Sequence, residues 1–151
     1  MPKKATIERA HRAEREGKSA SSQAGEFVRE EIEAIRKGEH GARSTKQAIA
    51  IGLSKARRAG VKLPVPKKGS VPDETREKAK RELAAAEEGE TRRPSRTRSQ
   101  ATLKALKREG RAPASKEALS QQSRAAARKR TSAQKSESAR KAARTRRRRA
   151  K

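Results

Sequence analysis

A chain of 151 residues has room for one ordinary domain, but 28 of its 45 apolar residues are Ala, which leaves only 17 Leu, Ile, Val, Met and Phe to build a core. With 40% charged residues, a net charge of +25 and a single aromatic, the composition leans toward disorder and toward a polyanionic partner. The absence of Cys excludes disulfides and zinc–thiolate sites, and no apolar run approaches the ~20 residues of a membrane span.

Residues 1–22 are polar and mixed in charge, with at most a frayed helix near Thr6–Glu16 ended by Gly17; a flexible N-terminal segment is expected. Nine of the large apolar residues fall between Phe27 and Leu63, so a small core is expected over 23–65. Its first helix spans about 24–37, capped by Ser21 or Ser22, with Val28, Ile32 and Ile35 on one face and Phe27 beside them, and it stops at Gly38. The turn GEHGAR leads to Ser44, a good N-cap for a second helix over about 45–59. In that helix Ile49, Leu53 and Ala56 form the expected core face, Gly60 ends it and Pro64 forbids continuation. The pair should pack as a helical hairpin.

A Pro/Gly linker follows, covering 66–72, with Val61, Leu63 and Val65 before it available to lie across the hairpin. Residues 73–89 read as an exposed helix with an acidic first turn and Leu83 as its one large apolar residue. The remainder, 90–151, is basic and Ala/Arg-rich, with marginal helices at about 97–109, 116–130 and 133–149 among long disordered basic segments. Leu103, Leu106 and ASKEAL echo Ile32, Ile35 and STKQAI; this is either a second version of the hairpin or the chance likeness of two Ala-rich basic stretches. The fold class is therefore mostly α.

Catalysis finds little support, because a general acid/base or nucleophilic site needs paired carboxylates or a His beside Ser or Cys in a rigid pocket. The chain has two His and one Asp, and His40 falls in a turn, where a solvated role is expected. EGKS at 16–19 ends like a phosphate-binding loop but lacks the upstream Gly and the preceding strand. Neither an enzyme nor a cofactor or metal site is expected.

Nucleic acid is the expected partner. Residues 1–90 carry 21 Lys/Arg and 15 Asp/Glu, a net +6, whereas 91–151 carry 22 and 3, a net +19. A polycation of this kind gains by displacing counterions from phosphates and reads no sequence. The candidate contacts there are Arg128, Lys129, Arg130, Arg140, Lys141, Arg144, Arg146, Arg147, Arg148 and Arg149. With no aromatic platform for base stacking, duplex DNA fits better than single-stranded RNA. On and before the second helix, Arg43, Lys46, Gln47, Lys55, Arg57 and Arg58 are further candidates. The face with Gln47, Ile51, Ser54 and Arg58 is open to two readings: side chains that reach base edges, or ordinary surface with Ile51 covered by Val61, Leu63 or a second copy.

The block EFVREEIEAIRKGEHGARSTKQAIAIGLSKARRAGVKLP, about residues 26–64, resembles the core of a family of small, basic, Lys/Arg/Ala-rich bacterial proteins of unassigned function, some described as plasmid stabilisation or DNA-binding proteins. That resemblance implies a bacterial, cytoplasmic, nucleoid-facing protein and brings no binding residues with it. The expected function is non-enzymatic, largely sequence-independent DNA binding by phosphate neutralisation. The alternatives are an RNA- or ribosome-associated protein, or a protein-interaction module in which Ile51 and Val61–Val65 meet a partner, a second copy of the chain among the possibilities, while the basic tail only localises it.

Overall fold

The structure is a computed structural model that describes residues 2–89 and 95–149, the Arg149 side chain excepted. It is mostly helical, with α1 (Lys4–Arg15), α2 (Ala20–Arg36), α3 (Thr45–Arg58), α4 (Asp73–Glu87), α5 (Arg96–Lys107), a 3₁₀ turn (Ala112–Ala114), α6 (Lys116–Arg128) and α7 (Ser132–Arg149). No strand occurs among the described residues. Contacts divide the chain into two compact units, Met1–Ser115 and Lys116–Lys151.

In the first unit α1 packs on α2, α2 on α3 and α3 on α4. The N-terminal segment, where polarity predicts flexibility, forms α1 and packs inward: Thr6, Ala10 and Ala13 are buried and Ile7 joins the core. A face made largely of small residues carries little hydrophobic signal but allows close packing. Polar contacts fix it further, with Arg9 paired to Glu26 at 2.8 Å and the Lys3 amide donating to the Glu30 carboxylate at 3.1 Å.

The α2 helix begins one turn before the expected start. Ser19 caps it, its Oγ accepting from the Ser22 amide at 3.4 Å. The Ser44 Oγ caps α3 by accepting from the Gln47 amide at 3.1 Å, and the Gln47 side chain accepts in turn from the Arg43 amide at 2.7 Å. At the other end Gly60, at φ +88°, closes α3 while the Val61 amide reaches back to the Ala56 carbonyl.

The seam between α2 and α3 departs from the expected face. Phe27, Ile32 and Ile35 of α2 are buried, but on α3 the buried positions are Ala48, Gly52, Ala56 and Arg57, while Ile49, Ile51 and Leu53 are half-buried. The reason is distance: a Cβ at Gly52 would lie 2.7 Å from Val28 Cα, so the two backbones touch where α3 has no side chain. Small residues at i, i+4 and i+8 form the contact, and the larger ones flank it. Leu53 packs at the edge of the cluster of Ala10, Ala24, Phe27, Ala56, Val61 and Leu63. Val61 and Leu63 are therefore core residues of this unit rather than an exposed surface for self-association, leaving Ile51, half-buried, and Val65, half-buried.

The segment 106–114 is strapped across the turn between α2 and α3. Gly41 and Ala42 donate their amides to the carbonyls of Leu106 and Gly110 at 2.9 and 3.0 Å. The Arg36 Nε donates to the Ala114 carbonyl, and the Thr45 hydroxyl to that of Pro113, both at 2.8 Å. Ala114 is fully buried, and any side chain at Gly41 would collide with the Glu109 carbonyl.

The basic region differs from the expectation of long disordered segments. Its described part forms α5, α6 and α7 because Ala, Arg, Lys and Gln stand high in helix propensity, so a composition too polar for a core still favours the local helix. The echo of the first hairpin does not extend to packing: Leu103 is 43% exposed and α5 buries no residue, where the corresponding Ile32 and Ile35 are buried.

Candidate nucleic-acid interface

The candidate cations divide into two groups once placed. Around α3, Lys55 is drawn inward: its Nζ lies 2.6 Å from Oε2 of Glu31, a carboxylate with no exposed surface. Nε2 of His40 approaches the other oxygen at 3.4 Å, so His40 sits in the structure beside a buried carboxylate and not in solvent. Arg57 is also buried, its Nη1 3.6 Å from Oε2 of Glu82 on α4, and the Ser54 hydroxyl donates to the same carboxylate. Gln47 is engaged in the α3 cap. Lys55, Arg57 and Gln47 thus hold the first unit together, and of the α3 group only Arg43, Lys46 and Arg58 are exposed.

The second group lies in the unit Lys116–Lys151. Arg128, Lys129 and Arg130 end α6 and enter α7, and every described side chain of α7 is exposed. Arg140, Arg144, Arg146, Arg147 and Arg148 make no ion pair among the described residues. Lys141 bonds the Glu137 carboxylate at 2.8 Å. That hydrogen bond and the Lys141 charge hold the Glu137 carboxyl below its ordinary value of 4.5, against a small opposing effect of desolvation. The Arg149 side chain lies outside the described residues.

The start of α7 is built by a reciprocal cap outside the sequence-based expectations. Thr131 Oγ1 accepts from the Gln134 amide at 3.3 Å, and the Gln134 side chain accepts from the Thr131 amide at 3.1 Å. The T-x-x-Q spacing at 131–134 is the signal that marks it. Arg130 then folds along the first turns, donating through Nη2 to the Gln134 carbonyl at 2.7 Å and to the Ser138 hydroxyl. The buried Glu31–Lys55–His40 group had no such signal, since charged residues are exposed by default.

Among the described residues no group of three or more His, Asp or Glu is placed to hold a metal ion. No helix among them is long and apolar enough to cross a membrane. Arg140, Arg144, Arg146, Arg147 and Arg148 thus stand exposed on a capped helix without carboxylate partners among the described residues.

No curated protein and no solved structure is detectably similar to this chain. Residues 15–68, which contain α2, α3 and the core residues Val61 and Leu63 but none of α4–α7, are similar to a family of unknown function (DUF6496).

Proposed function

We propose that this protein binds duplex DNA at the nucleoid without catalysing a reaction, through phosphate neutralisation by α6, α7 and the cations between them. The observation that carries this reading is the set Arg140, Arg144, Arg146, Arg147 and Arg148, exposed on one helix and free of carboxylate partners among the described residues. Guanidinium groups pair with phosphate oxygens through two hydrogen bonds and stay charged at every physiological pH. A helix already capped by Thr131 and Gln134 loses less freedom on binding than an unordered tail. The first unit acts as the scaffold from which this arm starts, its strap 106–114 bonded to the α2–α3 turn.

The test is equilibrium binding of the full chain to a labelled random-sequence duplex, with unlabelled duplexes of other sequences and a hairpin RNA as competitors. Duplexes of any sequence should compete equally and the RNA less well. Preferential displacement by RNA would move the function to the RNA-associated class.

A further inference from the structure

Phosphate neutralisation alone needs only cations on one side of a helix, where a single sugar–phosphate strand passes. The α7 helix is arranged differently. At about 100° per residue, Lys135 and Arg146 share one side, while Arg140, Lys141, Arg144, Arg147 and Arg148 occupy a sector centred roughly opposite. Lys141 in that broader sector is already paired with Glu137, which leaves four arginines there.

The two sides between these cationic walls also differ. One carries Gln134, Ser138 and Thr145, all engaged within the chain: Gln134 in the cap, Ser138 by Arg130 and Thr145 with the Lys141 carbonyl at 3.1 Å. The other carries Ser136, Ala139 and Ala143, exposed and with the smallest side chains available. A helix with cations on two opposite walls and a smooth edge between them fits a surface with phosphates on both sides and a floor that must be approached closely.

Resting on the DNA-binding reading above, we infer that α7 lies in the major groove of duplex DNA. Lys135 and Arg146 face one phosphate backbone, Arg140, Arg144, Arg147 and Arg148 the other, and Ser136, Ala139 and Ala143 face the base edges. The dimensions agree: a helix with its side chains is about 10–12 Å across and the major groove about 12 Å wide. The floor side offers only a hydroxyl and two methyl groups, which accept many base edges and strongly select none.

Two measurements on the full chain test this. Each phosphate contact adds about 0.9 to the slope of log Kobs against log salt, so Lys135→Ala with Arg146→Ala, and separately Arg140→Ala with Arg144→Ala, should each lower the slope by about 1.8. Ala is the strongest helix former, so circular dichroism should show the helix retained in both. A duplex whose major groove is filled by glucosylated cytosines should bind about tenfold or more weakly than the plain duplex, because the glucose groups keep α7 from reaching both phosphate backbones at once. If the Lys135/Arg146 pair leaves the slope unchanged, or the filled groove binds equally well, α7 lies outside the groove and the inference is wrong, while salt-dependent binding preserves the reading it rests on. Absence of salt-dependent binding to the plain duplex overturns both.

Discussion

The first unit and the α6–α7 unit draw on the same residue types and use them in opposite ways. Two of the cations on α3 are drawn into carboxylate pairs, Lys55 with Glu31 and Arg57 with Glu82, in a helical stack that has few large apolar groups, while Arg43, Lys46 and Arg58 stay exposed. In α7 the arginines face outward and, among the described residues, have one acidic neighbour, Glu137, for the whole helix. At Lys55 and Arg57 charge is a packing element, and in α7 it is a surface. Net charge along the sequence shows the contrast in degree but not which individual cations are already occupied.

The comparison breaks most easily at Lys55. Removing one partner of a buried pair leaves the other uncompensated, so Lys55→Ala should destabilise the first unit by about 3–5 kcal/mol, read from urea melting of the full chain. Replacing Glu31 and Lys55 together by Met should cost less than the single change, and the salt dependence of DNA binding should be unaltered in both. A loss in DNA binding with no loss of stability would return Lys55 to the binding surface.

Gly52→Ala is expected next in size. The new methyl meets the Val28 backbone, forces α2 and α3 apart and should cost about 1–3 kcal/mol, whereas Ile49→Ala at the flank of the seam should cost less. The reverse order would restore the Ile49–Leu53 face read from the helical wheel.

That seam shows where the sequence is legible and where it is not. The ends of α2 and α3 are written in single residues with local effects: Ser44 as a cap, Gly38 and Gly60 as stops, Pro64 beyond them. The packing face is not, because periodicity counts large apolar residues, while here the closest approach is made by Ala48, Gly52 and Ala56. The pairing of buried Glu31 with half-buried Lys55 depends on a match between two helices that neither sequence segment shows alone. The strap 106–114 is held mainly through backbone carbonyls, which every residue has, so its docking site carries almost no residue signature. In the basic arm the helices expected at about 97–109, 116–130 and 133–149 are present as α5, α6 and α7, and what polarity does not show is the Thr131–Gln134 cap that starts the last of them.

Smaller effects sharpen the distinction further. Ser44→Ala removes the α3 cap and should lower stability by about 1 kcal/mol without touching DNA binding. Glu137→Gln should do the opposite: it frees Lys141 and steepens the salt slope by about 0.9, with little change in melting. Acidification should act in the same direction. Because the Glu137 carboxyl is held below 4.5, its bond to Lys141 is fully present above that ordinary value and is lost only as pH falls through the lower folded-state value. DNA affinity per chain should therefore rise more in that acidic window in the native protein than in Glu137→Gln, where only the other carboxylates still titrate.

Whether α6 and α7 carry the binding is decided by the salt dependence of duplex binding for the full chain beside a chain ending at Ser115, the boundary of the first compact unit. If the arm neutralises about 6–10 phosphates, full-chain affinity should fall by roughly 10³–10⁵ between 50 and 200 mM salt. The shortened chain should keep its helical fold and lose most of that affinity and slope. Equal slopes for the two chains, or a flat response in the full chain, would contradict the account.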